Sequence, residues 1–287
     1  MATQAQDAAT VLVIGASGGG GRSVVDQLLS RGYRVLGSVL NQTELESFKA
    51  TDGPEAQLFV ADFADAERGA LQVKEAIARS GRSLGAVISC IGVNPCGPLE
   101  TSPLAEFRKI MEINTIANLA VYQVTLPSLR ASGGRMIFTS SLSGKVAMPL
   151  LGYYTASKFA LEGLADTMRL EAGQWGVGIS LVQPGAILTD MVFGFGAHLD
   201  SRLAALNDDD QANYRAYFEQ YRAFTEAVGA IAISAEQAAA KLIEALESET
   251  LEPRYAIGSS VDLIDKRIGS TDQEMDAMMN EIFPGSR

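Results

Sequence analysis

The amino-acid sequence predicts an α/β protein with a doubly wound parallel sheet of about seven strands. Short apolar runs alternate along the chain with longer segments whose apolar residues recur at helical spacing. Several short runs are nearly continuous in Val, Ile and Leu, which is typical of strands covered on both faces. Right-handed crossovers between such strands place a ligand at the carboxyl ends of the strands.

The elements follow one another in a regular order. The short apolar runs predict strands over Val11–Gly15, Arg34–Leu40, Gln57–Ala61, Ala86–Ile91, Arg135–Thr139, Gly178–Val182 and Arg254–Ile257. Spacing and composition predict helices over Arg22–Ser30, Ala66–Ser80, Ala105–Leu129, Tyr154–Gln174 and Ala235–Glu247. Because strands and helices alternate throughout, each helix is expected to pack on one face of the sheet.

A single domain is predicted over the whole chain, residues 1–287, since no repeat and no linker interrupts the alternation. Two regions depart from the pattern. The segment at about 190–229 lies between a strand and a helix, and we interpret it as an inserted lid. The segment at about 259–287 is a C-terminal tail whose docking the pattern does not predict.

Composition restricts the possible partners. The net charge of −11 argues against nucleic acid and against an anionic membrane surface. Residues Met1–Thr10 lack the apolar core of a signal peptide, and no apolar run is long enough to span a bilayer. Cys90 and Cys96 are too few for a disulfide framework, so we expect a cytoplasmic protein. With His198 as the single histidine, we predict no metal site and no Ser-His-Asp triad.

A glycine-rich turn follows the first predicted strand. It reads Gly15-Ala16-Ser17-Gly18-Gly19-Gly20-Gly21, and a helix is predicted from about Arg22. Glycines let the backbone approach a ligand closely, and the amides at a helix N-terminus attract a diphosphate. This strand–turn–helix context favours a Rossmann-type dinucleotide site over a flexible loop. Asp62, after the third predicted strand, has two compatible interpretations: a contact to an adenine amino group and an N-cap of the next helix.

Tyr154 and Lys158 are four residues apart in a segment of helix-forming composition, so they share one face of the predicted helix. An ammonium beside a phenol favours the phenolate, so we expect the pKa of Tyr154 to lie below its reference of about 10. Such a phenol can donate and accept protons near neutral pH. Tyr153 is the rival phenol, but its partner at the same spacing is Ser157, which carries no charge.

Together these motifs resemble those of the short-chain dehydrogenase/reductase family. The family's first turn, Thr-Gly-x-x-x-Gly-x-Gly, is matched by Gly15, Gly19 and Gly21. Ile14 stands in place of the threonine. The family's Asn-Asn-Ala-Gly motif is reduced in this chain to Ser89-Cys90-Ile91-Gly92, which retains the glycine.

The family's catalytic residues are matched in the same order along the chain. Its asparagine matches Asn114, and its serine matches Ser141, thirteen residues before the tyrosine. Its Tyr-x-x-x-Lys motif matches Tyr154 and Lys158. Its Pro-Gly turn, which holds the nicotinamide carboxamide, matches Pro184–Thr189.

The resemblance implies a role for each of these residues. Tyr154 exchanges a proton with the substrate oxygen, Ser141 stabilises the charge that develops there, and Lys158 holds the nicotinamide ribose. Asn114 orders a water that carries protons from Lys158 to solvent. The predicted dinucleotide site consists of Gly15, Ser17, Gly19, Gly20, Gly21, Asp62, Gly92, Asn114, Tyr154, Lys158, Pro184, Gly185, Ile187 and Thr189.

The cofactor is predicted to be NADP, with NAD as the alternative. An acidic residue at the position of Val39, near the end of the second strand, would bond the adenosine ribose and select NAD, and none stands there. Without that acid, no carboxylate is expected to repel a 2′-phosphate. The side chains expected to solvate the phosphate are Ser17, Ser38, Asn41 and Arg22.

The expected activity is hydride transfer between this dinucleotide and a secondary alcohol or ketone. Gly97–Glu100 and Ser157–Leu164 resemble the hydroxysteroid and retinol dehydrogenase group, which implies a bulky apolar substrate, steroid-like or aromatic. The resemblance also implies a homodimer or homotetramer formed through the two long helical segments. The alternative is a dinucleotide-binding regulator that has kept the fold and lost turnover, supported by the reduced motif that ends at Gly92.

Overall fold

The computed structural model describes residues 10–49, 56–189 and 194–284. Its strands are β1 (Thr10–Ile14), β2 (Arg34–Val39), β3 (Ala56–Val60), β4 (Leu84–Ser89), β5 (Arg135–Thr139), β6 (Gly178–Pro184), β7 (Ile187–Leu188), β8 (Ile233–Ser234) and β9 (Arg254–Ile257). Seven of these strands form one parallel sheet in the order β3-β2-β1-β4-β5-β6-β9, and β7 pairs with β8 separately. The predicted fold class is confirmed.

Helices cover both faces of this sheet. They are α1 (Gly19–Ser30), α2 (Gln42–Lys49), α3 (Ala66–Ser80), α4 (Leu104–Met111), α5 (Ala117–Ser132), α6 (Gly152–Ala172), α7 (Phe195–Ala204), α8 (Asp208–Gly229), α9 (Ala235–Glu247), α10 (Val261–Gly269) and α11 (Asp272–Ile282). A π-helical turn, Glu112–Ile116, joins α4 to α5. None of the helices in the described ranges is long and apolar enough to cross a membrane.

The strand order reverses between β1 and β4. From β1 the chain runs outward through β2 to β3, then returns to place β4 on the other side of β1. A reversal of this kind opens a crevice at the carboxyl ends of the two central strands. The glycine-rich turn after β1 and the loop after β4 therefore meet at the same edge of the sheet.

The strands read as continuous apolar runs because both of their faces are buried. All five residues of β1 are buried. Leu12 and Ile14 belong to the core shared with α3, α5 and α6, whereas Val11 and Val13 belong to the core shared with α1 and α9. This alternation follows from the two-residue period of a strand.

Two helical features differ from the sequence-based prediction. The predicted helix Ala105–Leu129 is interrupted, because the π-helical turn Glu112–Ile116 inserts an extra residue into the helical ladder. Helix α2 was not predicted, because it is short and strongly polar. Its first turn is capped by Asn41, whose Oδ1 accepts a hydrogen bond from Glu44 N at 2.9 Å.

The predicted lid and tail are largely helical. Residues 190–193 at the start of the predicted lid lie outside the described residues, and the part that follows forms α7 and α8. The tail forms α10 and α11, and the ring of Phe283 after α11 is buried among aromatic side chains. The tail is therefore packed against the predicted lid. The division into one domain with a lid stays a prediction.

Candidate active site

A cavity of about 860 Å³ opens at the carboxyl edge of the sheet. Eleven predicted site residues line it: Gly19, Gly20, Gly21, Gly92, Ser141, Tyr154, Lys158, Pro184, Gly185, Ile187 and Thr189. Four others are not among its lining residues in the described ranges: Gly15, Ser17, Asp62 and Asn114. The topology thus brings segments from four loops to one cavity.

The glycine-rich turn is compact because its backbone segments touch. Gly15 has a φ of +78°, a conformation that favours glycine, and its N–H donates to Ser38 Oγ at 3.0 Å. A Cβ on Gly21 would lie 2.0 Å from the carbonyl oxygen of Gly15. No side chain larger than hydrogen fits at Gly21 without displacing the turn, which explains the glycine at this position.

The turn fits the diphosphate of a dinucleotide. Helix α1 begins after Gly18, and in the described part of the chain no side chain caps its first turn. The first amides of a helix have no intrahelical partner, and together with the helix dipole they attract an anion. The residues in this first turn, Gly19, Gly20 and Gly21, line the cavity. The amides of this turn therefore border the space in which a diphosphate would bind.

Tyr154 and Lys158 lie on the same face of α6, as predicted, and both line the cavity, with Lys158 buried and Tyr154 half-buried. Lys158 Nζ lies 5.8 Å from the centre of the Tyr154 ring and donates a hydrogen bond to the carbonyl oxygen of Thr139 at 2.9 Å. The neighbouring phenol of Tyr153 points elsewhere, since its hydroxyl donates to the carbonyl oxygen of Ser102 at 2.8 Å. Of the two adjacent tyrosines, only Tyr154 lines the cavity in the described structure.

The predicted direction of the Tyr154 pKa shift is wrong. Burial raises the pKa of Tyr154 above its ordinary value, and contact with the Ser141 hydroxyl opposes the rise. Burial also lowers the pKa of Lys158 to about 8, against the opposing effect of the Glu162 carboxylate. Tyr154 is therefore a neutral phenol at physiological pH, which is the form that donates a proton.

Ser141 lies near the start of the loop between β5 and α6. Its Oγ caps a short 3₁₀ turn, Leu142–Gly144, by accepting a hydrogen bond from Ser143 N at 3.1 Å. This bond orients the hydroxyl, which retains a proton to donate. The hydroxyl lies next to Tyr154, close enough to affect its pKa.

Asn114 is fully buried in the π-helical turn. Its Oδ1 accepts from Val93 N at 2.8 Å, and its Nδ2 donates to the carbonyl oxygen of Val93 at 2.9 Å and to Ser157 Oγ at 3.0 Å. The side chain thus fastens the loop after β4 to α6. π-helical turns often occur at functional sites, because they reposition a side chain within a helix. The predicted water relay through Asn114 stays a prediction.

A carboxylate that the sequence analysis did not predict lies at the predicted adenosine ribose site. Glu44 Oε2 accepts hydrogen bonds from Ser17 Oγ at 2.5 Å and from Leu40 N at 2.9 Å. Two of the side chains expected to solvate the phosphate already have partners. Ser38 Oγ accepts a hydrogen bond from Gly15 N, and Asn41 Oδ1 accepts one from Glu44 N. The expectation that no carboxylate stands here is therefore wrong. A signal was available, since Asn followed three residues later by Glu is the pattern of a helix N-terminus.

Asp62 does not cap α3, contrary to one of its two interpretations. Its Oδ1 accepts a hydrogen bond from Ala64 N at 2.9 Å and so closes a tight turn. The N-cap of α3 is Asp65, which accepts from Arg68 N at 3.0 Å. The contact of Asp62 with an adenine amino group stays a prediction.

A buried carboxylate beneath the site was also missed. Glu162 is 3% exposed and lies one helical turn after Lys158 on α6. It accepts hydrogen bonds from Ser140 Oγ, from Gln183 Nε2 at 2.9 Å and from Arg254 Nε at 2.7 Å. These partners lie on β6, on β9 and directly after β5. Glu162 therefore fixes α6, and with it Tyr154 and Lys158, to the sheet.

Comparison with known proteins agrees with this architecture. The family model for short chain dehydrogenases matches residues 9–199. The NADPH-dependent 3-dehydrocapnine reductase of Ornithobacterium rhinotracheale is 27% identical over 254 residues, which cover 86% of this chain and 87% of that protein. The 11-beta-hydroxysteroid dehydrogenase type 2 of Homo sapiens is 32% identical over 216 residues, which cover 74% of this chain and 53% of that protein.

A solved structure extends the agreement to the whole fold. A short-chain dehydrogenase from Streptomyces avermitilis superposes with a TM-score of 0.79 at 23% identity, covering 96% of this chain and 97% of that one. Since the family match spans well over half of the chain and a relative above 30% identity covers 74% of it, the chain belongs to the short chain dehydrogenase family.

Proposed function

We propose that the protein is an NADP-dependent oxidoreductase that reduces a bulky apolar ketone, or oxidises the corresponding secondary alcohol, with Tyr154 as the general acid or base. The observation that carries this proposal is the position of Tyr154, Ser141 and Lys158 in one cavity with the glycine-rich turn. The two relatives support it, since one is an NADPH-dependent reductase and the other a hydroxysteroid dehydrogenase.

The chain's own residues bind and orient the reactants. The first turn of α1 would hold the diphosphate, and the Pro184–Thr189 turn would hold the nicotinamide end. The bound dinucleotide supplies or accepts the hydride. In reduction, Tyr154 donates its proton to the carbonyl oxygen of the substrate, and Ser141 donates a hydrogen bond to the same oxygen.

Lys158 and Asn114 support this proton transfer. Below a pH of about 8 the Lys158 ammonium is charged, so it stabilises the phenolate that forms when Tyr154 has given up its proton. In this proposal the same ammonium also bonds the nicotinamide ribose. Asn114 positions the loop that carries Gly92 against α6, through its bonds to Val93 and Ser157.

An apolar substrate fits the remaining wall of the cavity. That wall carries the side chains of Leu142, Met148, Leu151, Phe195 and Phe224. Pockets lined in this way take ligands with large apolar surfaces. Helices α7 and α8, which contribute the two phenylalanines, act as the lid of a single catalytic domain in this proposal.

The proposal includes a homodimer or homotetramer in the cytoplasm. Phe159 and Leu170 on α6 are both exposed and, being eleven residues apart, lie on one face of the helix. Ile116, in the turn before α5, is exposed as well. A second subunit would cover these apolar side chains. Cys90 and Cys96 are free thiols, which fits a reducing compartment.

The test is the oxidation of NADPH, and in parallel of NADH, by the purified protein with a panel of steroid-like and aromatic ketones. We expect consumption that depends on the ketone and is faster with NADPH. Binding of both nicotinamides without consumption by any ketone would favour the regulator instead. Failure to bind either nicotinamide would contradict the dinucleotide site itself.

A further inference from the structure

The hydroxyl group of Tyr221 is not explained by packing. Tyr221 lies on α8 and is 4% exposed. Its ring stacks on Phe283 at 5.5 Å between centroids, and it meets Phe195 at 5.6 Å and Phe224 at 5.8 Å. A phenylalanine would fill such an aromatic cluster as well as a tyrosine does. The oxygen at the end of this ring therefore needs a separate explanation.

This oxygen has no hydrogen-bond partner among the residues that the structure describes, although the residue lines the active-site cavity. Buried hydroxyls in folded proteins are almost always paired. Tyr214, two turns earlier on the same helix, shows the usual arrangement, since its hydroxyl donates to Glu100 Oε2 at 2.6 Å. The Tyr221 oxygen is not one of the fully buried unpaired atoms of the described residues, so it is accessible from the cavity, and its partner has to come from the contents of the cavity.

The phenol of Tyr221 is suited to form a hydrogen bond with a neutral oxygen atom of a ligand. Burial raises the pKa of Tyr221, and the nearby Cys96 and Tyr154 raise it further, so the group stays a neutral hydroxyl at physiological pH. A neutral phenol donates one hydrogen bond and can accept another. A carbonyl oxygen or a hydroxyl group of a ligand meets this requirement.

The charged side chains of the cavity do not argue for an ionic substrate. Besides Lys158, which serves the reaction, they are two acids, Glu226 and Asp262, and two bases, Arg222 and Lys266. Arg222 forms an ion pair with Asp200, and the other three are exposed. Apart from Lys158 the two signs balance and most of these groups are in contact with water, so they do not select an ion beside Tyr221.

We propose that Tyr221 donates a hydrogen bond to a second oxygen of the substrate, distinct from the carbonyl that reacts at Tyr154. The substrate is then a bulky apolar ketone or alcohol that carries a further carbonyl or hydroxyl group on another part of its skeleton. This inference rests on the proposed function and names its substrate class. Tyr221 is a specificity-determining residue, because it contacts the substrate and takes no part in proton transfer.

The test compares Tyr221→Phe with wild type on matched ketones, namely bicyclic monoketones such as 1-decalone and their analogues with a second carbonyl on the far ring. We expect wild type to prefer the diketones. In Tyr221→Phe, kcat/KM for the diketones should fall about tenfold, mainly through KM, which is the scale of one hydrogen bond. For the monoketones, kcat/KM should change by less than about twofold.

Tyr217→Phe is the control, since it makes the same change one turn away on α8, at a residue that does not line the cavity in the described structure. Tyr217→Phe should leave kcat/KM unchanged for both the diketones and the monoketones. An equal loss on both types in Tyr221→Phe, or no loss on either, would overturn the inference while leaving the reductase activity intact. Wild-type protein that prefers the monoketones would also overturn it. Wild-type protein that reduces no ketone with either nicotinamide would instead contradict the proposed function.

Discussion

At the scale of single residues, Glu44 is the side chain whose position matters most for cofactor choice. Its carboxylate joins Ser17 of the glycine-rich turn to Leu40 after β2, which is where the adenosine ribose of a dinucleotide is expected. A negative charge at this point attracts a ribose diol and repels a 2′-phosphate. The NADP proposed here must therefore bind beside a carboxylate that does not favour it.

Removing this charge while keeping the hydrogen-bond acceptor should strengthen NADP binding. We expect Glu44→Gln to raise the affinity for NADPH relative to NADH by about fivefold, because a nearby charge repulsion in partly aqueous surroundings is worth about 1 kcal/mol. Fluorescence titration with both nicotinamides measures the ratio. Glu46→Gln, an exposed change on the same helix, should leave it unchanged. An unaltered ratio in Glu44→Gln would show that the ribose does not bind here.

The sequence predicts the residues that line the site better than it predicts their electrostatics. The resemblance to the family's motifs identified Ser141, Tyr154 and Lys158, because those motifs fix the distances between these residues along the chain. The pKa of Tyr154 could not be predicted in this way, since it depends on burial, and burial depends on the packing of several distant segments. Glu44 was missed because its role comes from a contact with Ser17 across a gap of 27 residues.

At the scale of elements, helix α6 combines the reacting groups with their support. Tyr154, Lys158 and Glu162 follow one another at intervals of four residues, so they lie along one face of the helix. The reacting end faces the cavity, and the Glu162 end is bonded to the sheet. The charge of Glu162 also raises the pKa of Lys158 against the effect of burial.

This arrangement predicts the pH dependence of the reaction. The Lys158 ammonium loses its proton as the pH rises through about 8, so kcat/KM for ketone reduction should fall above that pH. Glu162→Gln removes the negative charge that raises this pKa, so the fall should move to lower pH. Glu171→Gln, an exposed change on the same helix, is the control and should not move it. If the midpoint of this fall in kcat/KM stays at the same pH or moves to higher pH in Glu162→Gln, the fall does not come from Lys158.

The regular elements were predictable and the irregular ones were not. All seven predicted strands exist, because strands buried on both faces leave a continuous apolar signal. The π-helical turn at Glu112–Ile116 leaves no such signal, since it changes the hydrogen-bond ladder without changing the composition. The sequence-based prediction places no helix within the lid, where α7 and α8 lie. One signal for α8 was present, since Asn207 caps this helix by accepting a hydrogen bond from Asp210 N at 2.9 Å.

At the scale of the whole molecule, the C-terminal tail packs against a helix that lines the cavity. Phe283 is 1% exposed and packs on Tyr221 and Phe224 of α8, so the tail supports this helix. The sequence did not predict this docking, because it depends on two segments that are distant along the chain.

Loss of this contact should destabilise the protein. We expect Phe283→Ala to lower the free energy of unfolding by about 3 kcal/mol, the usual scale for removing a buried phenylalanine ring. Ile268→Ala, at a residue that is 77% exposed on α10, should change it by less than about 0.5 kcal/mol. Urea denaturation of both variants gives the comparison. A Phe283→Ala protein as stable as wild type would mean that the tail is not docked on α8 in solution.

The proposed reaction depends on proton transfer by Tyr154, and the Tyr154→Phe variant tests this step. The variant keeps the ring and loses the hydroxyl, and Tyr153→Phe makes the same change at the adjacent tyrosine, which bonds Ser102 away from the cavity. We expect Tyr154→Phe to bind NADPH as wild type does and to lose at least about a hundredfold in kcat for ketone reduction, while Tyr153→Phe keeps its activity. Turnover retained in Tyr154→Phe would show that a group other than the Tyr154 hydroxyl transfers the proton.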